Sequence, residues 1–284
     1  MDKKKITLPY LFEKKARGVP ITMLTAYDYP GAKLVDEAEI DMILVGDSLG
    51  MVVLGYESTV FVTMEDMLHH CKAVRRGTKN AFLVGDMPFL SYQADVRDAV
   101  YNAGRFLKEA GMDAVKLEGG KERVQVIRAI SEAGIPVVGH LGLTPQSVTK
   151  LGGYRVQGKT ARAAHLLLEN ALAIEEAGCS FLVFEMVPAR IAEYISKKLT
   201  IPTIGIGAGN GCDGQVLVYH DMLGINIEFK PKFLKQFGSL GKDAEKALKK
   251  YRKAVETRSY PSVEHSFLME DKEFAEFLAM QDEK

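Results

Sequence analysis

Polar and ionisable side chains interrupt the short apolar runs of this 284-residue sequence, close to the point where each run ends. In chain order they are Asp47, Ser48, Asp86, Lys116, Glu118, His140 and Glu185. Burial of an unpaired charge costs several kcal/mol, by order of magnitude, unless the charge is paired or binds a metal. Asp47 or Asp86 alone could equally cap the following helix or form an ion pair, but the whole set indicates a functional site.

Three of these residues are carboxylates, and together they carry more negative charge than one lysine can balance. They are Asp47, Asp86 and Glu118, and the lysine is Lys116. A divalent cation would neutralise the excess, and Mg²⁺ fits best because it takes a few carboxylate ligands and keeps positions for water and substrate oxygens. Softer metals lack their preferred ligands here, because no cysteine is suitably placed and His140 is the only histidine that is. His140 is equally well interpreted as a packed histidine or as a substrate contact.

The carboxyl group of Glu185 lies in the apolar segment FLVFEMVP. Such surroundings disfavour a charged carboxylate and make the group a usable proton acceptor. As an isolated residue, Glu185 could equally be the buried partner of Arg190 or Lys116. Its position at the end of an apolar run favours the role of a base.

Eight short runs rich in Val, Ile, Leu and Phe must position these residues. They span residues 21–26, 41–46, 81–86, 114–119, 136–142, 181–186, 202–209 and 216–221. Continuous apolar character is typical of parallel strands that are buried on both faces. Segments with helical spacing lie between most of them, at residues 30–39, 64–77, 96–111, 121–134, 159–178 and 189–199.

This alternation predicts an α/β protein with a (β/α)8 TIM barrel, whose active site lies at the carboxyl ends of the strands. A doubly wound open sheet is the rival fold, but its edge strands should look half exposed, and none of the eight runs clearly does. The sequence predicts one barrel domain over residues 1–284, in which residues 228–284 form a C-terminal helical extension and tail. Residues 242–257 read as a basic amphipathic helix for the surface or for subunit packing.

Composition excludes several classes of protein. The 37 Lys and Arg residues balance 37 Asp and Glu residues, so there is no basic excess of the kind that nucleic-acid binding requires. Cys71, Cys179 and Cys212 are too widely spaced for a disulfide framework or a zinc site. We find no secretory signal and no run approaching the roughly 18 apolar residues of a membrane helix. The expected partner is a small acidic metabolite, and the expected location is the cytoplasm.

Glycines at 209, 211 and 214 satisfy the G-x-G-x-x-G pattern of dinucleotide-binding folds. The pattern is followed by QVLVYHD, which reads as a strand and offers no helix N-terminus to a pyrophosphate. We therefore interpret the run as a place of close backbone approach at the barrel mouth, or as a phosphate contact.

The sequence resembles the ketopantoate hydroxymethyltransferase family from about residue 20 to about residue 268. The resemblance rests on several long motifs in the right order. They are LTAYDYPGAKLVDEAEIDMILVGDSLGMVVLGY, GDMPF, VKLEGG, GHLGLTPQSV, GGYRVQGKT, GIGAGNGCDGQVLVYHDMLG and PSVEHSF.

The resemblance implies a (β/α)8 barrel that depends on Mg²⁺. It also implies transfer of a hydroxymethyl group from 5,10-methylenetetrahydrofolate to 3-methyl-2-oxobutanoate, which gives ketopantoate for pantothenate and coenzyme A synthesis. By motif position, the metal ligands would be Asp47, Asp86 and Glu118, the contacts to the oxo acid would be Asp47, Ser48, Asp86 and Lys116, and the proton acceptor would be Glu185. The family further suggests a homo-oligomer, often a decamer of stacked pentamers.

Two other functions remain open from the residues. One is a carbon–carbon lyase or mutase of the same superfamily, acting on a 2-oxo acid through a metal-bound enolate. That chemistry would normally need a reactive cysteine or a dedicated phosphate contact, and the three cysteines are not convincingly placed. The other is a non-catalytic barrel that binds a metabolite. Such a protein would have no need for buried carboxylates and a buried lysine, whose burial is energetically costly.

Overall fold

The computed structural model describes residues 4–226 and 230–282, and within them eight parallel strands form a closed barrel. The strands pair in sequence order, and β8 closes the barrel against β1. Their bounds are β1 Ile21–Thr25, β2 Met42–Val45, β3 Phe82–Asp86, β4 Ala114–Glu118, β5 Val137–Gly142, β6 Cys179–Glu185, β7 Thr203–Ile206 and β8 Gly214–Leu217. The predicted TIM barrel is confirmed.

Helices surround the barrel and extend beyond it. Their bounds are α1 Leu8–Ala16, α2 Tyr29–Glu37, α3 Leu49–Val52, α4 Met64–Gly77, α5 Val96–Ala110, α6 Val124–Glu132, α7 Val148–Leu151, α8 Ala161–Glu176, α9 Ala189–Lys198, α10 Tyr219–Met222, α11 Leu240–Glu256 and α12 Asp271–Asp282. The seven helices predicted from the sequence are present as α2, α4, α5, α6, α8, α9 and α11. At α4, Thr63 and Asp66 form a reciprocal capping box that fixes the start of the helix.

Two predicted strand boundaries are wrong, and the first is that of the run 202–209, whose strand β7 ends at Ile206. The run 216–221 does not continue as a strand, because β8 ends at Leu217 and the chain enters α10 at Tyr219. The amide of Tyr219 donates to Thr25 Oγ1 at 2.9 Å instead of extending the strand ladder to β1. A short apolar run cannot by itself show whether its last residues form a strand or a helix.

Side chains of the strands alternate between two separate apolar layers. The barrel interior holds one layer, which consists of Ile21, Met23, Met42, Leu44, Phe82, Val84, Ala114, Val138, Phe181, Val183, Ile204 and Val216. Residues of opposite parity, such as Ile43 and Leu83, pack outwards with the helices. Because the side-chain period is two residues, each interior residue predicts which later residue of its strand also faces inwards.

Helix α1, which the sequence analysis did not predict, contributes Leu11 to the interior layer. Leu11 is fully buried, and two lysines of the same helix pair with aspartates that precede strands. Lys14 Nζ lies 2.6 Å from Asp41 Oδ2, and Lys15 Nζ lies 2.7 Å from Asp213 Oδ2. Since Asp41 and Asp213 precede β2 and β8, α1 covers the amino-terminal end of the barrel.

We expect Leu11→Ala to lower the free energy of unfolding by about 2–5 kcal/mol, because it removes a fully buried side chain from a packed core. Urea unfolding followed by tyrosine fluorescence measures this change. The matched control is Leu166→Ala on α8, where the leucine is 54% exposed. Equal unfolding midpoints for the two variants would show that α1 does not stabilise the barrel.

The C-terminal helices lie outside both apolar layers. Within the described residues, neither α11 nor α12 contributes a buried side chain. The predicted tail is partly helical, and α12 exposes Phe274, Phe277 and Leu278. The division into one barrel domain over 1–284 with an extension over 228–284 stays a prediction, and residues 1–3, 227–229 and 283–284 of it lie outside the described residues.

In the part of the chain that the structure describes, no helix is both long enough and apolar enough to cross a membrane.

Candidate active site

Four consecutive strands, β3 to β6, bring five of the predicted site residues to one end of the barrel. Asp86 and Glu185 are the last residues of β3 and β6, and Lys116, Glu118 and His140 lie in β4 and β5. The interior residues Val84, Ala114, Val138 and Val183 have the same parity as these five. The alternation of side chains therefore directs all five into the carboxyl-terminal mouth of the barrel.

Strand register sets which of these residues are neighbours. Asp86 is the register partner of Lys116, and Glu118 is the partner of His140. Glu185 pairs with Gly142, two residues beyond His140 on β5. Asp47 and Ser48 follow β2, and Asp47 is buried. The structure thus brings together all seven residues that the sequence singled out.

A buried ion pair links β3 and β4. Lys116 Nζ lies 2.8 Å from Asp86 Oδ1, and both side chains are almost fully buried. Burial lowers the pKa of Lys116, but the nearby carboxylates of Asp86, Glu118 and Asp47 outweigh it and hold the pKa above its usual value. The lysine is therefore a permanent cation at the floor of the mouth.

Asp47 and Asp86 are close enough to repel each other. The backbone amide of Asp47 donates to Asp86 Oδ2 at 3.0 Å. Burial first, and then the charge of Asp86, raise the pKa of Asp47 well above its usual value, although Lys116 opposes this. Asp86 Oδ1 is engaged by the ammonium group of Lys116 at 2.8 Å. These two neighbouring buried carboxylates share a single lysine and offer hard oxygen donors, which suits a divalent cation.

The predicted set of three metal ligands is not assembled as a closed cage. Across the described residues, no three His, Cys, Asp or Glu side chains are placed to hold one ion. Both oxygens of Glu118 are already engaged: Oε2 accepts from the backbone amide of Gln146 at 3.1 Å, and Oε1 lies 3.5 Å from His140 Nδ1. Direct ligation by Asp47 and Asp86, with Glu118 nearby, fits the donor set because Mg²⁺ keeps several waters. Ligation by all three residues stays a prediction.

His140 lies between two glutamates. Its Nδ1 is 3.5 Å from Glu118 Oε1, and its Nε2 is 3.3 Å from Glu185 Oε2. Burial and the charge of Lys116 lower the pKa of His140, but the carboxylates of Glu118 and Glu185 outweigh them and raise it to about 9. Lys116 Nζ also lies 3.4 Å from His140 Nδ1, so the ring lies between one ammonium group and two carboxylates. Glu185 is the more exposed of the two, with 16% of its side chain accessible.

Ser48 lies at the rim of the same site. Its Oγ is 2.8 Å from the hydroxyl of Tyr27, which follows β1, and burial raises the pKa of that tyrosine above its usual value. The phenol therefore stays neutral and can donate to Ser48. This contact fixes the hydroxyl of the residue that follows Asp47 in the chain, and the sequence analysis expects both residues to contact the substrate.

Two residues of the site were missed by the sequence analysis. Gln146, in the 3-10 turn Pro145–Ser147 after β5, donates through Nε2 to Asp47 Oδ2 at 2.9 Å. Tyr92, after β3, donates to Gln146 Oε1 at 2.6 Å. Both are buried and neutral, so they do not stand out as charges in an apolar run. The available signal was the position of Gln146 within the motif GHLGLTPQSV.

The glycines at 209, 211 and 214 serve close packing. A methyl group added at Gly209 would lie 2.3 Å from Ala189 Cβ, and one at Gly214 would lie 2.4 Å from the backbone oxygen of Ile21. Gly214 is itself the first residue of β8. The predicted close backbone approach is present, but at Gly214 it lies at the amino-terminal end of the barrel and not at the mouth, because Gly214 begins β8 and packs against the first residue of β1. The strand that follows the pattern stands where a dinucleotide site needs a helix.

A model of the family described as ketopantoate hydroxymethyltransferase matches residues 5–263 of this chain. The chain belongs to that family. A Clostridium botulinum protein named 3-methyl-2-oxobutanoate hydroxymethyltransferase is 58% identical over 259 residues, which cover 91% of this chain and 94% of the relative. A Moorella thermoacetica protein of the same name is 58% identical over 266 residues, covering 94% of this chain and 99% of the relative.

The barrel of this ketopantoate hydroxymethyltransferase family member is also similar to more distant solved structures. A phosphonopyruvate hydrolase matches with a TM-score of 0.60 and 14% identity, covering 98% of this chain and 96% of the other. An oxaloacetate acetylhydrolase bound to 3,3-difluorooxalacetate matches with a TM-score of 0.59 and 12% identity, covering 99% and 96%. At such low identity these likenesses support the fold alone. Helix α12 lies beyond the family match.

Proposed function

We propose that this chain transfers a hydroxymethyl group from 5,10-methylenetetrahydrofolate to 3-methyl-2-oxobutanoate, giving ketopantoate for pantothenate and coenzyme A synthesis. Family membership and the name shared by its relatives support this assignment. The observation that carries it is the charged cluster at the barrel mouth, where a permanent lysine cation and a partly exposed glutamate face the same space.

Asp47 and Asp86 would hold Mg²⁺, and Glu118 would act as a third ligand or would orient the metal's water. Unmet negative charge and hard oxygen donors support this choice of ion. When bound, the ion supplies Lewis-acid polarisation of the oxo and carboxylate oxygens of the substrate. The same two aspartates, with Ser48 and Lys116, would line the site of the oxo acid.

Glu185 would accept the proton from C3 of the oxo acid. Its carboxylate lies at the end of β6 and keeps some exposure, so a substrate carbon can reach it from the mouth. His140, whose Nε2 lies 3.3 Å from Glu185 Oε2, would hold that carboxylate in place and would contact the substrate from the floor of the site. The enolate formed by proton removal would then attack the one-carbon unit of the folate, whose bonds to the folate nitrogens break. Tetrahydrofolate would leave, and one water would supply the oxygen of the hydroxymethyl group.

Lys116 would stabilise the negative charge that develops on the substrate oxygen. Its ammonium group is buried and held by Asp86, so it is oriented before the substrate binds. A preorganised cation in a site with little water stabilises developing charge more than the same cation in solution.

The partners of the enzyme would be the 2-oxo acid, the reduced folate and further copies of the chain, as a decamer of stacked pentamers, without nucleic acid or membrane. We propose a cytoplasmic location, in keeping with a soluble biosynthetic family.

The test follows deuterium entry at C3 of 3-methyl-2-oxobutanoate by NMR, with and without Mg²⁺, and then ketopantoate formation after addition of the folate. We expect Mg²⁺-dependent exchange followed by folate-dependent product. Exchange without transfer would favour a lyase or mutase acting on a 2-oxo acid. Loss of both reactions in folded protein would favour a non-catalytic binding barrel.

A further inference from the structure

Gln146 connects the ends of four strands although it carries no charge. Its side-chain Nε2 donates to Asp47 Oδ2 after β2 and to the carbonyl of Met87 after β3, both at 2.9 Å. Its backbone amide donates to Glu118 Oε2, at the end of β4, at 3.1 Å. Gln146 itself follows β5, so one buried residue fixes the spacing of four neighbouring strand ends.

The orientation of the Gln146 amide is determined by its partners. Oε1 accepts from the Tyr92 hydroxyl at 2.6 Å and from Gln93 Nε2 at 3.2 Å. The Tyr92 oxygen also accepts from the backbone amide of Glu118 at 3.1 Å, so its single hydrogen points to Gln146. A flipped amide would set its oxygen against the carbonyl of Met87, which cannot donate, and its nitrogen against Gln93 Nε2, so both of these hydrogen bonds would be lost.

We propose that Gln146, oriented by Tyr92, is a positioning residue that fixes the carboxylates of Asp47 and Glu118 for the divalent cation and the oxo acid. Because the hydrogen bond from Gln146 Nε2 occupies Oδ2 of Asp47, Oδ1 is the oxygen of Asp47 that would bind a ligand. The proposal rests on the proposed function for the identity of the ligands. The hydrogen bonds themselves are independent of it.

A neutral amide is well suited to this position. The site already holds Asp47, Asp86 and Glu118, so a fourth carboxylate at position 146 would add to their repulsion. An amide can donate to Asp47 without bringing a counter-charge that would compete with a divalent cation. A purely apolar side chain would leave Asp47 Oδ2 and the carbonyl of Met87 without this donor.

Partners that orient metal ligands typically change metal affinity by 10–100-fold when they are replaced. A residue that only stabilises the fold would instead lower the melting temperature and leave the affinity of the folded protein unchanged. The two roles therefore separate in a binding measurement that needs no turnover.

The experiment titrates the whole chain with Mn²⁺ and measures free Mn²⁺ by electron paramagnetic resonance, with a thermal melt of each variant alongside. We expect Gln146→Met to weaken Mn²⁺ binding by about 10–100-fold. Tyr92→Phe should weaken it less, because it frees the amide without removing it. The matched control is Thr203→Val, which removes a buried hydroxyl that bonds Ser196 Oγ and Asp213 Oδ2 near the opposite end of the barrel. It should lower the melting temperature without changing Mn²⁺ affinity.

Mn²⁺ affinity within twofold of the wild type in folded Gln146→Met would overturn the proposal, as would a wild-type chain that binds no Mn²⁺. If Gln146→Met does not fold, the Mn²⁺ affinity of Tyr92→Phe tests the proposal instead, and a value within twofold of the wild type would overturn it. In turnover, the KM for 3-methyl-2-oxobutanoate should rise more than kcat falls. If Mn²⁺ affinity follows the expected order but the wild type forms no ketopantoate, the proposed function fails and the positioning role stands.

Discussion

Replacing Glu185 by glutamine should lower the rate of deuterium entry at C3 of 3-methyl-2-oxobutanoate by about 10²–10⁴-fold, the usual contribution of a positioned general base. The amide keeps the shape of the side chain, and its oxygen can still meet His140, but it cannot accept the proton. NMR of the oxo acid in D₂O with Mg²⁺ measures the exchange. Ketopantoate formation should fall by a similar factor.

Binding should survive this substitution, because Glu185 belongs to neither the Asp47–Asp86 pair nor the Lys116 contact. Titration calorimetry with the oxo acid and Mg²⁺ checks that the variant still forms the complex. The matched control is Glu193→Gln on the exposed side of α9, which makes the same chemical change outside the mouth. Fast exchange in Glu185→Gln would remove Glu185 from the role of base.

Lys116→Met should lower the free energy of unfolding in metal-free buffer by about 3–5 kcal/mol, the typical cost of breaking one side of a buried ion pair. The substitution leaves Asp86 buried beside Asp47 with no cation between them. Urea unfolding in the presence of a chelator measures the loss. Lys197→Met, which breaks the exposed pair with Glu193, is the control and should cause no measurable loss.

Added Mg²⁺ should restore more stability to Lys116→Met than it adds to the wild type. The ion would then replace the positive charge that Lys116 supplies to Asp86, and a ligand that binds only the folded state stabilises it more strongly the higher its affinity. The restored variant should still be inactive, because the cation that faces the substrate oxygen is missing. If Lys116→Met had the same free energy of unfolding as the wild type in metal-free buffer, the Lys116–Asp86 ion pair would not stabilise the fold.

The barrel could be predicted because strands of a closed parallel sheet are buried on both faces, and each appears in the sequence as an uninterrupted apolar run. The site could be predicted for the opposite reason. Lys116 and Glu118 within AVKLEG, or Glu185 at the end of FLVFE, are anomalies in such a run and need a compensating partner. Parity then accounts for their convergence, because each has interior-facing neighbours two residues away.

Neutral residues that act over long distances in the sequence could not be predicted in this way. Gln146 lies 99 residues from Asp47, and Tyr92 lies 54 residues from Gln146, so no local pattern connects them. Helix α1 has a single buried side chain, Leu11. One buried position gives no helical periodicity, so the sequence does not predict this helix. The engagement of Glu118 by Gln146 and His140 also depends on contacts that composition and spacing do not contain.

The two ends of the barrel have different tasks, and this separation matters for engineering. At the amino-terminal end, Asp41 and Asp213 each bind a lysine of α1 and also the amide and hydroxyl of a threonine on a neighbouring strand. No residue of that arrangement takes part in the proposed chemistry at the other end. A library that alters substrate choice at the mouth can therefore be built on a parent whose opposite end has first been reinforced. The added stability there would offset the cost of rearranging buried charges, and selection for activity could proceed without selecting again for folding.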